Sequence, residues 1–137
     1  MKPILLPLTL TWALALATAG CAAVPPSYDS LRGDWGGRHI GLHIGETDSA
    51  VEFDCAEGRI FPPYTIASGG RFEWSGTFTR GTGGPVRVGF EPPSIAATYS
   101  GTVRGGHMSV TIRLDDRTSL GRYELDRFAQ PQLLRCL

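Results

Sequence analysis

The sequence has little lysine, little cysteine and no net charge. Of its 137 residues one is a lysine, Lys2, three are cysteines and three are histidines, and 13 basic side chains balance 13 acidic ones. A balanced surface lacks the basic field that holds a general nucleic-acid binder or a protein adsorbed on anionic lipid. With 42% apolar and 19% charged residues the chain is too apolar and too mixed in sign for a disordered tail. Its length admits one domain. Chemistry-bearing motifs are also scarce. There is no Cys-x-x-Cys pair and no Gly-x-Ser-x-Gly nucleophile turn, and the glycine-rich run Gly81-Thr82-Gly83-Gly84-Pro85 lacks the lysine and helix of a phosphate loop.

One long apolar run is present, at the start. Met1-Lys2-Pro3 precedes Ile4 to Ala19, 16 residues without a charge and interrupted by Pro7. A basic start, an apolar stretch shorter than the ~20 residues of a spanning helix, and small residues after it are the order of a secretory signal peptide. The run closes on Ala17-Thr18-Ala19-Gly20-Cys21, which resembles the lipobox of bacterial lipoproteins, with Thr18 where that group usually has an aliphatic residue. The resemblance implies a signal peptide over 1–20 and a lipidated Cys21 carrying a diacylglyceryl thioether and an acylated amine, several acyl chains that together anchor firmly. It also implies, through Ala22 in place of Asp, sorting to the outer membrane on its periplasmic face. The other reading of the same segment is an ordinary signal peptide cut near Ala19 or Ala23, which gives a secreted protein.

Cleavage before Cys21 removes the only lysine and leaves a chain with arginine as its sole strong base and a formal charge of −1. Arginine alone fits recognition of carboxylate or phosphate, but the positions are scattered from Arg32 to Arg135, and a GC-rich codon bias explains the same composition. Residues 21–30, with Pro25-Pro26, read as a short tether, and 31–137 as the folded domain. Export places Cys55 and Cys136 in an oxidising compartment, where a disulfide is the default. Closing a loop of about 80 residues contributes roughly 4.5 kcal/mol on the chain-entropy model.

Beyond residue 31 the pattern has period two. Apolar residues alternate with polar ones over Ile40–Ile44, Val51–Cys55, Phe72–Phe78, Val86–Phe90, Ile95–Val103 and Met108–Leu114, with two further strands near Leu120–Asp126 and Gln132–Cys136. Turn signals separate them, among them Glu57-Gly58, Ser68-Gly69-Gly70, Pro92-Pro93 and Gly105-Gly106. Short neighbours without a crossover helix predict an all-β fold, a small antiparallel up-and-down barrel of about eight strands whose closure removes exposed edges. Pro62-Pro63 and Pro92-Pro93 belong at bulges, corners or a seam.

Candidate site residues come from a short repeat, Trp74-Ser75-Gly76-Thr77-Phe78 and Tyr99-Ser100-Gly101-Thr102-Val103. As a ligand site, Trp35, Trp74 and Tyr99 would wall a cavity with Ser75 and Ser100 as its polar contacts. As architecture, the aromatics fill a barrel of this size and Gly76 and Gly101 let coiled strands bend. His39 and His43 would chelate on a helix, but on a strand they stand ~13 Å apart, so no metal site is predicted. Glu52 and Asp54, about 7 Å apart, read as solvated acids. No catalytic residue and no cofactor is expected.

Gly33-Asp34-Trp35 is similar to the start of lipocalin-type and avidin-type barrels, where the Trp plugs one end. Gly36-Gly37 stands where avidins carry a biotin-binding Asn, so biotin is not implied. Phe53-Asp54-Cys55-Ala56-Glu57-Gly58 with the near-terminal Cys136 is similar to lipoprotein inhibitors of lysozyme, although Ala97-Thr98-Tyr99-Ser100-Gly101 is not the order of their inhibitory loop. The expectation is a non-enzymatic lipoprotein of the cell envelope whose barrel binds a protein or a small apolar ligand. The alternatives are a periplasmic lysozyme-inhibitor-like protein and a small hydrolase at the barrel mouth.

Overall fold

Eight antiparallel strands close on themselves in chain order, the first pairing with the last. They are β1 (Gly33–Gly37), β2 (Ile40–Ile44), β3 (Ser49–Phe53), β4 (Ala56–Ile60), β5 (Arg71–Arg80), β6 (Ser94–Arg104), β7 (His107–Leu114) and β8 (Ser119–Arg127). The structure is a computed structural model that describes residues 20–21 and 27–136. The signal peptide expected over 1–20 lies outside the described residues up to residue 19, and so do residues 22–26 of the expected tether. A helical turn, α1 (Tyr28–Leu31), precedes β1. It packs rather than tethers. Leu31 is fully buried, Trp35 Nε1 donates to its carbonyl at 2.8 Å, and the Tyr28 hydroxyl donates to the Gly45 carbonyl.

The up-and-down barrel is as expected, but two of its strands are not those the alternation indicates. Val86–Phe90 is not a strand. Residues 81–93 form one long connection between β5 and β6, because β5 already pairs with β6 directly and closure leaves no ladder for a further strand. Gln132–Cys136 is not a strand either. It contributes a single parallel bridge, Arg38 to Gln132, and otherwise runs over the outside. In their place stand β1 and β4, which the alternation misses because glycine occupies inward or covered positions. A Cβ on Gly58 would lie 2.1 Å from Tyr99 Oη, so in β4 the tyrosine from β6 fills the place of a side chain. A Cβ on Gly36 would lie 2.2 Å from the Ala129 carbonyl oxygen, so β1 leaves its outer face open to the chain's own C-terminal arm.

Inward positions of every strand converge on one core. Phe72, Trp74 and Phe78 of β5 alternate with outward Arg71, Glu73 and Ser75, and Trp74 pairs in register with Tyr99 of β6. Phe72 stands opposite Gly101, a large residue against a small one, while Gly76 and Ala97 stand opposite each other as two small ones. At Gly76 and Gly101 a neighbouring strand's carbonyl oxygen, that of Arg59 in β4 and of Ser109 in β7, would sit 2.0 and 1.8 Å from a Cβ, the close backbone approach of a strongly coiled sheet.

Successive hairpins give the barrel two distinct poles. One holds α1 and the connections 45–48, 61–70 and 105–106. The other holds the turns 38–39, 54–55 and 115–118 and the long loop 81–93. After β8 the chain turns back, and residues 128–136 run along the outside of β1 and β2 toward the second pole, where Cys136 pairs with Cys55 at a Cα separation of 5.3 Å.

Candidate functional site

The five candidate residues, Trp35 and the aromatics and serines of the repeat, do not come together as a site. Trp35 and Tyr99 are 1% exposed and Trp74 2%, all pointing inward. Ser75 and Ser100 occupy the opposite pleat parity and face outward. The aromatics pack on one another. Phe72 stacks on Trp74 at 4.0 Å between centroids, and Tyr64 meets Trp74 edge-on at 5.8 Å. Their polar atoms are spent on the backbone. Trp74 Nε1 donates to the Thr65 carbonyl at 3.0 Å, Tyr64 Oη to Ile60 at 3.1 Å and Tyr99 Oη to Thr77 at 2.7 Å. Burial pushes the Tyr99 phenol far above its ordinary pKa, so it stays a neutral donor. Inward aromatics of an eight-strand barrel fill it in this way.

Each histidine is paired with carboxylate on the outer surface. His39, at positive φ in the β1–β2 turn, meets Asp54, whose other oxygen accepts from the Leu134 amide at 2.6 Å. Asp54 is thereby a clamp for the C-terminal arm and not a partner of Glu52. His43 pairs with Asp34 at 2.6 Å. His107 bridges Asp126 and Glu124, both at 2.9 Å, and these hydrogen bonds, Asp126 first, raise its pKa. Among the described residues no group of three or more His, Cys, Asp or Glu is placed to hold a metal ion.

Cys21 is exposed and not in a disulfide. No helix among the described residues is long and apolar enough to cross a membrane.

Exposed large apolar side chains lie at both poles, Phe61 and Phe128 singly at the first and a run of three in the long loop of the second. Val86, Val88 and Phe90 are exposed there, Val88 completely at 107%. The Phe90 amide donates to the Arg87 carbonyl at 3.0 Å, and Gly89 has φ 84°, the value a type II turn needs at its third position. Val88 is therefore the apex of a defined β-turn. Beside the loop lies an open cleft of about 710 Å³ between the loop base at Arg80, Gly81 and Pro92 and the C-terminal arm at Pro131 and Leu134. Its floor is the outer face of β3 and β4, where Glu52 and Glu57 stand directly opposite in the ladder. A second hollow of about 640 Å³ continues past Glu52 and Glu57 to Phe61 and Glu91. The sequence reading missed this surface. Gly83-Gly84-Pro85 and Pro92-Pro93 mark the loop's ends as breakers, but the six residues they enclose are as many as a strand of this barrel needs, so the flanks alone do not give it away.

Comparison with protein-family models, with characterised proteins and with solved structures finds no match.

Proposed function

We propose that the chain is a lipid-anchored protein of the bacterial cell envelope that acts as a non-enzymatic binding module for a protein. The observation that carries the binding reading is the division of the barrel: an inside packed with aromatic side chains whose polar atoms donate to the backbone, and an outer pole that presents an ordered, fully exposed apolar turn. A filled inside favours a protein over a small apolar ligand as the partner, because recognition then has to use the outer surface. The anchor reading rests on the signal-like segment and on Cys21. The described fold takes up the chain from that segment at the pole with α1, so the loop pole is the one turned away from the tether.

The experiment carries a photo-crosslinking amino acid at position 88 or, as control, at position 47, in cells that export the full chain with and without Cys21→Ser. The expected result is membrane fractionation that the substitution abolishes, with a discrete protein adduct from position 88 alone. Unchanged fractionation of Cys21→Ser removes the anchor. Equal adducts at both positions, or none, removes the binding surface.

A further inference from the structure

At the loop pole two complementary features lie side by side. The turn offers a guanidinium, Arg87, between two exposed valines. The groove offers a pair of carboxylates, Glu52 and Glu57, between proline and leucine walls. Among the described residues none of these three charges forms an ion pair within 4.0 Å. Like charges directly opposite in an antiparallel ladder are unfavourable unless a cation is placed between them. Arg59, Arg80 and Arg135 line the same hollows, Arg59 and Arg80 in register with Ala50 and Ala56 and Arg135 on the C-terminal arm, and none of the three is within 4.0 Å of either glutamate carboxylate.

We propose that the partner at this pole is a second copy of the chain, the Arg87–Phe90 turn of each copy seated in the groove of the other. The inference rests on reading the loop pole as a binding surface, and it names the occupant. The guanidinium fork of Arg87 is the group that can satisfy two carboxylates at once, and the flanking Val86 and Val88 meet the proline and leucine walls. The placement suits a two-fold. Pro92, at the base of the loop, itself lines the groove, so the donor and acceptor surfaces of one molecule adjoin. An axis passing beside the loop base then brings each turn onto the other molecule's groove, which is the isologous arrangement of cyclic dimers. Two seatings are needed as well as allowed. One turn in one groove falls short of the roughly 20–30 residues a side that a stable interface uses, and the symmetric pair doubles it.

The test is sedimentation velocity over a concentration series, on the full exported chain carrying Cys21→Ser so that lipid drives no association. The expected result is a monomer–dimer equilibrium. Val88→Asp should shift it to monomer. Arg87→Glu should weaken it by about tenfold or more, and Arg87→Glu combined with Glu52→Arg and Glu57→Arg should recover most of the loss. Circular dichroism serves as the control for folding, since all these side chains are exposed. A wild-type chain that stays monomeric, or a dimer indifferent to Val88→Asp, overturns the proposal. Vesicles of anionic lipid form a second arm, and Val88-dependent cosedimentation of a monomer would assign the turn to a lipid surface instead. A monomer whose position 88 still crosslinks a different envelope protein defeats the second-copy inference and leaves the binding module standing. A monomer with no adduct defeats both.

Discussion

Tyr99 fixes the middle of the barrel through the space that two glycines leave for it. Its ring passes over Gly76, and its hydroxyl lies where a Cβ on Gly58 would be, 2.1 Å away, with the Thr77 carbonyl oxygen 2.8 Å from the same point. Gly58→Ala should therefore destabilise the fold by about 1–3 kcal/mol through overpacking. Tyr99→Phe should cost about 0.5–1.5 kcal/mol for the lost hydrogen bond to Thr77. The two effects share one atom, because removing the hydroxyl also removes the worst clash. Urea unfolding of the single and double variants should then give a double mutant clearly more stable than the sum of the singles implies. Strict additivity would mean that the hydroxyl does not occupy the Gly58 position.

At the scale of elements, the chain's alternation is legible wherever the inward side chain belongs to the strand that carries it. That holds for β2, β3, β5, β6, β7 and β8, all of which the period-two pattern locates. It fails for β4, since the inward position at Gly58 is filled from β6, and for β1, where Gly36 makes room for the arm. It also fails in the other direction at Val86–Phe90, where the pattern is present and the ladder is not. Closure is a property of all eight strands together, so no local window can tell a strand from an alternating loop. The candidate site was less legible than the fold for the same reason. Trp74, Tyr99, Ser75 and Ser100 share two motifs, but pleat parity sends the aromatics and the serines to opposite faces.

The attachment of the C-terminal arm is legible in the sequence through Cys55 and Cys136, which the fold brings together. Beyond its root, where the Phe128 amide donates to the Asp34 carbonyl at 2.7 Å, the arm is held at three points: the Gln132 bridge to Arg38, the Leu134 amide on Asp54, and the disulfide across 81 residues. Cys136→Ser should lower unfolding stability by about 2–5 kcal/mol. Because the arm adds only one bridge to the sheet, the barrel should stay closed while the arm loosens. Hydrogen exchange should accelerate first at the Gln132 and Leu134 amides and leave the β5–β6 ladder protected. A uniform rise in exchange over all strands would show instead that the arm is needed for closure.

For the whole molecule the decisive property is that the fold occupies the inside of the wall, which leaves the proposed binding to the outside. A hollow barrel of this topology would offer its interior to a ligand, and its outer surface would then need no ordered apolar turn. Here the division is reversed, and intrinsic fluorescence can report it. Of the three tryptophans, Trp12 lies outside the described residues in the segment expected to be cleaved, while Trp35 and Trp74 both face inward. A chain without that segment should thus emit only from buried indoles, with a blue-shifted maximum that acrylamide hardly quenches. Apolar probes such as long-chain fatty acids or retinol should leave that emission unchanged, because packed aromatics give them no volume to enter. Unfolding followed by fluorescence should coincide with unfolding followed by circular dichroism, as one closed core requires. Saturable quenching of the tryptophans by an apolar probe, with the fold intact, would place the binding site inside the barrel and move the search for a partner from proteins to small molecules.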